Sequence, residues 1–363
     1  MSRSFDVVVF EGDGIGPEIT APTLDILRRV SEKSAYELVF NTLPAGANLY
    51  AKTGESLPAT SLEAARNADA ILLSAMGLLN IRKPDGTEIS PQLDLRSELD
   101  LFAGVRPVRI TPGLKTPLKL EEGKTVDFVL IRESTEGLFY SRGNGEVNQD
   151  EARETLVITR KTSEKLFKFA FNLARQRQSA GQGEGRVTCV DKANVFRAFA
   201  FFRDIFNGEA RHYPELIADH AYVDATALWM VQKPWFFDVM VTENMFGDIL
   251  SDLGAGLMGG LGVAPSADIG ENHAVFQPCH GSVPDIAGLG IANPFAMILS
   301  ATMMLDWLGI RHEQPELVRD GGLLRDAVDR VIASGRSTTR DLGGSSTTAD
   351  AAAAVLQAFE GAI

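Results

Sequence analysis

Asp248 and Asp252, in the stretch NMFGDILSD, stand four residues apart. On a helix that spacing puts both carboxylates on one face, where two like charges weaken the helix. A divalent cation would offset the repulsion, and hard oxygen donors of this kind suit Mg²⁺ or Mn²⁺. The competing reading is a solvated acidic helix face, against which the surrounding apolar residues and glycines speak. Asp224, in HAYVDATALWM, lies between an aromatic and an apolar stretch and is either a helix cap or a buried ligand. Lys192, in VDKAN, follows a strand. It is either a surface lysine or, beside metal-bound carboxylates, a proton carrier whose pKa is lowered by burial.

Three arginines extend the inventory. Arg96 sits in LDLRSELDLF, Arg106 in GVRPVR, and Arg132 ends a strand in VDFVLIRES. Singly each suits a surface ion pair. Pooled with Asp248 and Asp252, they could hold a polyanionic acid between guanidinium forks and a metal. The turn GDGIGPE does not have the spacing of the GxGxxG dinucleotide fingerprint. The segment HGSVPDIAGLGIANP, residues 280–294, sets Asp285 among Gly281, Gly288 and Gly290. A carboxylate there could bind a ribose diol and repel a 2′-phosphate; the bland alternative is a proline–glycine loop that only turns. In IRESTEGLFYSRG, residues 131–143, Tyr140 is either a hairpin surface residue or a proton donor, with Phe139 beside it.

The elements that must position these residues alternate between strand and helix. Phe5 to Phe10 reads as a buried strand stopped by the glycine turn, with a helix after it through TLDILRRVSEKSA. LEAARNADAILLSA reads as a helix feeding a strand, and residues 76–95 as a loop. SEKLFKFAFNLARQRQ is amphipathic with helical period. RVTCVD and FFDVMVTE read as strands, a helix begins near Asn244, and the threonine-capped TTADAAAAVLQAFEGA closes the chain as a helix. This pattern predicts a layered α/β fold with interwoven lobes and no flexible linker.

The 363 residues are enough for two domains or one two-lobed unit. The formal charge of −13 disfavours nucleic acid and anionic membranes as partners. Cys189 and Cys279 form no metal-spaced cluster and predict reduced thiols. The opening MSRSFDVVVFEGDG lacks a signal peptide's apolar run, and no charge-free apolar run is long enough to span a membrane. A cytoplasmic location is the expectation.

From GDGIGPE through VDKAN, TENMFGDILSD and HGSVPDIAGLGIANP to DLGGSSTTAD, the chain closely resembles the β-decarboxylating dehydrogenases. These are the isopropylmalate, isocitrate, homoisocitrate and tartrate/D-malate dehydrogenases. The resemblance implies a two-lobed α/β fold unlike a standard Rossmann fold. A discontinuous first domain, 1–104 and 258–363, would hold much of the NAD site. A second, 105–257, would hold the dimer interface and the metal and substrate residues. It implies a homodimer with shared sites: Asp248 and Asp252 bind Mg²⁺ or Mn²⁺ from one subunit, Asp224 joins from the other, and Lys192 of the other subunit assists proton transfer at the 2-hydroxyl. Arg96, Arg106 and Arg132 match the arginines on the malate portion. Asp285 matches the ribose carboxylate, favouring NAD over NADP. His280, Gly281 and Asn293 match the adenine side, and Ser74 to Gly77 the nicotinamide side.

Two departures from the pattern carry expectations of their own. The family tyrosine that assists protonation at C3 falls seven residues after Arg132, at Phe139, and a phenyl ring has no proton to donate. Tyr140 then reaches the substrate only if the chain bulges or turns there; otherwise water, Lys192 or another group protonates C3, or oxidation proceeds without efficient protonation. In the loop IRKPDGTEISPQLDLR, Ser90 and Gln92 stand where the C3 substituent is read. A hydroxyl and an amide favour a small or polar substituent, as in tartrate, D-malate or homoisocitrate. Leu93, Leu78 and Leu79 keep isopropylmalate as the alternative. A disabled sensor that binds nucleotide or acid is the rival of another class.

Overall fold

The computed structural model describes residues 3–362. Its strands, in chain order, are β1 (Arg3–Phe10), β2 (Tyr36–Thr42), β3 (Ala70–Leu73), β4 (Ala103–Arg109), β5 (Asp127–Glu133) and β6 (Glu146–Val147). They continue with β7 (Ala152–Arg153), β8 (Arg186–Asp191), β9 (Ile217–Tyr222), β10 (Val239–Thr242), β11 (Pro265–Ile269) and β12 (Ala274–Pro278). Ten of them form one sheet in the order β2-β1-β3-β12-β11-β4-β5-β10-β8-β9, and β6 pairs with β7 as a small exposed hairpin. Strands β3, β10 and β12 are buried along their whole length. That is why they read as continuous apolar runs, as strands covered on both faces do.

The sheet has a seam. The strands β2, β1, β3 and β12 run parallel to one another, as do β5, β10, β8 and β9. Between the two groups, β11 is antiparallel to both β12 and β4, and β4 is antiparallel to β5. Register across the seam sets Arg132 opposite Gly104 and Gly104 opposite Asp268. Arg106, two residues along β4 from Gly104, points to the same face of the pleat, as do Ser266 on β11 and Gln277 opposite it on β12. The seam thus gathers charged and polar side chains that neither half of the sheet would tolerate alone.

The helices cover both faces. They are α1 (Gly16–Glu32), α2 (Ala47–Thr53), α3 (Ala59–Asn67), α4 (Pro91–Glu98), α5 (Arg160–Ser179) and α6 (Arg197–Ala210). After them come α7 (Val223–Gln232), α8 (Asn244–Met258), α9 (Phe295–Arg311), α10 (Pro315–Ser334) and α11 (Thr348–Glu360). The loop expected over 76–95 ends early, because Pro91 opens α4 and its fixed φ suits a first helical turn. The closing helix is as expected, with Thr347 and Asp350 forming a capping box. Cys189 and Cys279 are both free. Among the described residues no helix is long and apolar enough to cross a membrane.

The glycine turn after β1 is a close-packing device. Gly14 has φ +58°, and a Cβ there would lie 1.9 Å from the Ser282 carbonyl oxygen. Between the glycines, buried Asp13 accepts hydrogen bonds from the amides of Ala47 (2.7 Å), Asn48 (2.8 Å) and Gly77 (2.9 Å). One carboxylate thereby ties the turn to the start of α2 and to the loop after β3. Gly14→Ala is expected to cost at least about 1–3 kcal/mol from the left-handed backbone alone. A urea-unfolding midpoint equal to that of the unsubstituted chain would refute this close packing.

Candidate active site

A cleft of about 850 Å³ opens over the seam. Arg96 comes from α4, Arg106 from β4 and Arg132 from β5, and all three are buried yet line the cleft. Arg96 Nε donates to Asp268 Oδ2 at 2.9 Å, and Arg106 Nη2 to Asp268 Oδ1 at 3.1 Å. Arg106 Nη1 also donates to the Ala267 carbonyl at 2.9 Å. Arg132 Nε donates to Asn244 Oδ1 at 2.9 Å, and its Nη1 contacts Asp248. Burial, followed by the charge of Arg96, lowers the Arg132 pKa to about 10, so it stays protonated at neutral pH. Burial opposes ionisation of Asp268, but Arg96 and Arg106 more than offset it and bring its pKa down to about 2.

Close approach of backbones makes the cluster possible. A Cβ at Gly104 would lie 2.6 Å from Ser134 Oγ and 3.1 Å from Asp268 Oδ1. A Cβ at Gly247 would lie 2.6 Å from Arg132 Cβ, so α8 can rest directly against that arginine. Helix α8 starts where the Glu243 side chain accepts from the amides of Met245 (3.1 Å) and Phe246 (3.3 Å). Its cleft-facing turn presents Asp248, Ser251 and Asp252. Burial and then the neighbouring Asp248 charge raise the Asp252 pKa. Two hard carboxylates that repel each other beside open space fit one side of a Mg²⁺ or Mn²⁺ shell. Among the described residues no group of three potential ligands forms within the chain.

Lys192 and Asp224 are not at this cleft. Lys192 follows β8, Asp224 lies in the first turn of α7, and they pair with each other at 2.5 Å. Asp224 is not the helix cap, a place that Tyr222 takes; within the single chain its side chain is exposed, and the hydrogen bond from Lys192 lowers its pKa. Val195 and Phe196 after β8, Leu228 and Val231 on α7 and Ile249 on α8 expose large apolar side chains.

The chain over 138–141 is a single 3₁₀ turn, not a strand. It turns Phe139 into the cleft, with the Arg132 guanidinium carbon 5.1 Å from the ring centre. Tyr140 is 61% exposed and is not among the residues lining the cleft of its own chain. Ser90, Gln92, Leu79, Leu93 and Met76 also line the cleft, as do the charged Lys83 and Arg142. Leu78 instead packs in a small core with Ala47 and Ile89. The Ser90 hydroxyl is engaged by Arg142 at 3.2 Å, whereas Gln92 Oε1 is buried with no hydrogen-bond partner.

The far end of the cleft suits a dinucleotide. Ser74 to Gly77, His280, Gly281 and Asp285 line it. His280 Nδ1 meets the Gly281 carbonyl at 2.9 Å, while its Nε2 is buried without a partner. A buried orphan polar atom beside open space is a place for a ligand. A Cβ at Gly281 would meet nothing, so the backbone borders free volume. Burial lowers the His280 pKa, leaving a neutral ring at pH 7. Asn293 sits behind the lining, its amide donating to Asp341 at 2.8 Å. Sequence reasoning did not single out Asp13, Asp268 or Gln277. An acidic residue alternating with apolar ones in PSADIG was the available signal for Asp268.

A family model described as isocitrate/isopropylmalate dehydrogenase matches residues 6–355. The chain belongs to that family. It is 43% identical over 343 residues to the 3-isopropylmalate/3-methylmalate dehydrogenase of Methanocaldococcus jannaschii, covering 94% of this chain and 95% of that one. It is 41% identical over 357 residues to a 3-isopropylmalate dehydrogenase of Streptococcus thermophilus, covering 96% and 98%. The crystal structure of isocitrate dehydrogenase from Methylococcus capsulatus superposes with a TM-score of 0.85 at 36% identity, covering 98% of this chain and 99% of that one. The two-lobed α/β fold, distinct from a standard Rossmann fold, is therefore established. So is the reaction class, an NAD-dependent decarboxylating dehydrogenase acting on a CH–OH group.

Asp268 makes the site's stability pH-dependent with a definite sign. An aspartate in the unfolded chain titrates near about 3.9, and the folded value is about 2. Its contribution is full above the unfolded pKa and is lost as pH falls through the folded one. Denaturant unfolding should show stability dropping from about pH 4 toward about pH 2 by this route. Asp268→Asn should be less stable at neutral pH by about 3–5 kcal/mol, the usual cost of breaking a buried ion pair, and the deficit should shrink below about pH 4.

Proposed function

We propose that the protein oxidises and decarboxylates a 3-alkyl-substituted (2R)-malate, 3-isopropylmalate foremost, using NAD and Mg²⁺ or Mn²⁺ in a homodimer with shared sites. The observation that carries this reading is the convergence of three buried arginines and the Asp248/Asp252 pair on one cleft. Fixed guanidinium forks match carboxylates in charge and geometry. Leu79 and Leu93 in the lining of the cleft support an alkyl substituent, as do the relatives named as 3-isopropylmalate dehydrogenases.

In this reading, Asp248 and Asp252 would hold a divalent cation, which would supply Lewis-acid chemistry, and NAD would be the hydride acceptor. Arg96, Arg106 and Arg132 bind the two carboxylates of the malate portion and fix C2 against the nicotinamide end of the cleft. The Lys192–Asp224 pair of a second copy completes the site, with Lys192 taking the hydroxyl proton and Asp224 joining the metal ligands. The exposed apolar surface around Phe196, Leu228 and Ile249 supports such a dimer. Asp285 and His280 hold the adenosine end, with Asn293 supporting from behind. Phe139 has no proton to give, and Tyr140 stands outside, so Lys192 or cleft water supplies the proton at C3 once CO₂ has left.

A second reading has a small or polar C3 substituent, as in tartrate, D-malate or homoisocitrate; within it, the unpartnered Gln92 Oε1 on the cleft wall favours the hydroxyl of a tartrate. A buried acceptor left unpaired against an isopropyl group costs binding, and a hydroxyl substituent would satisfy it. NADH formation and CO₂ release from 3-isopropylmalate, D-malate, the tartrates, isocitrate and homoisocitrate separate the two. The highest kcat/KM is expected with 3-isopropylmalate; a tartrate or homoisocitrate optimum would establish the second reading. NADH without CO₂ would contradict both. For the shared site, Lys192→Ala and Asp252→Asn are expected to be inactive alone. Refolded together they should recover about a quarter of normal activity, since random pairing leaves one intact site per mixed dimer. No recovery would contradict a site built from two copies.

A further inference from the structure

We propose that Asp268 is the positioning residue for the substrate arginines, holding the guanidiniums of Arg96 and Arg106 in the orientation that receives the acid's carboxylates. The inference rests on the reading that Arg96, Arg106 and Arg132 bind the acid. Asp268 is 1% exposed and does not line the cleft, so it acts through its neighbours. Its two oxygens are divided between the arginines: Oδ2 accepts from Arg96 Nε at 2.9 Å and Oδ1 from Arg106 Nη2 at 3.1 Å. Gln277 Nε2 adds a third donor on Oδ2 at 2.9 Å, and Ser134 Oγ lies 3.5 Å from Oδ1. The strand register places Asp268 across from Gly104, whose missing side chain leaves room for the cluster.

The chemistry leaves no neutral substitute. Arginine only donates hydrogen bonds, and an asparagine offers one acceptor oxygen and an NH₂. Asparagine at 268 would therefore turn a donor toward Arg96 or Arg106, and one fork would swing from its aim. Asp268 stays ionised down to about pH 2, so its hold on the two arginines does not vary over the working pH range.

The test is calorimetric binding of 3-isopropylmalate and of isocitrate to the full-length protein with Mg²⁺, in parallel with steady-state kinetics. Asp268→Asn is expected to weaken 3-isopropylmalate about 10- to 100-fold, as loss of an orienting partner does. KM for NAD should change less than about twofold, because Asp268 lies away from the dinucleotide end. The double variant D268N/Q277E returns a carboxylate to the neighbouring strand and is expected to recover most of the lost affinity. Unchanged acid affinity in D268N, or equal losses for NAD and both acids, would overturn the proposal. If D268N alone does not fold, the double variant decides: restored affinity for 3-isopropylmalate supports the proposal, and a folded double variant without it overturns it. An unsubstituted protein that binds acid without reducing NAD would overturn the proposed function while leaving this comparison readable. One that binds neither acid would overturn both.

Discussion

Three arginines buried within a few ångströms of one another repel, and this protein's central constraint is to hold them there. The sheet does so at its seam, where β11 and β4 run against their neighbours and bring one fully buried aspartate between two of the guanidiniums. A buried ion pair of this kind adds little net stability over a well-packed apolar core, because desolvation consumes the Coulombic gain. Its use is orientation. With Nε of Arg96 and Nη2 of Arg106 engaged from behind, the arginines present their remaining faces to the cleft. Arg132, held by Asn244, completes the set from β5.

Much of the surrounding structure serves that cluster. Gly104 and Gly247 are required because a methyl group at either would strike Ser134 or Arg132. The helix that rests on Arg132 also carries Asp248 and Asp252, so substrate and metal groups share one rigid contact. At the other end, Asp13 knots the glycine turn to Gly77, and Gly14 lets the turn touch Ser282. The arginine cluster, the α8 carboxylates and the glycine turn are thus fixed by elements that pack on one another. The catalytic lysine candidate is not among them, and this separation within one chain is what makes a second copy part of the account.

The alternating elements were legible because their apolar periods are strong. RVTCVD coincides with β8, and the helix expected near Asn244 begins there. Asp248, Asp252 and the three arginines were legible as residue types, but their convergence needed strands 103–109 and 127–133 to pair, which no local pattern encodes. Asp268 was illegible for the same reason: a lone acid in a five-residue strand has no meaning until β4 and α4 bring arginines to it. Asp224 stands on the exposed face of α7, although Val223, Ala227 and Trp229 beside it pack against the core. Tyr140 depended on whether residues after Arg132 continued as strand, and a 3₁₀ turn turned Phe139 inward instead.

The most direct measurement is a crystal structure of the protein with Mn²⁺ and 3-isopropylmalate. The account predicts the acid's carboxylates on Arg96, Arg106 and Arg132, the metal between Asp248 and Asp252, and Lys192 and Asp224 arriving from a second copy. Acid or metal bound away from the arginine cleft, or a site completed without a second copy, would contradict it.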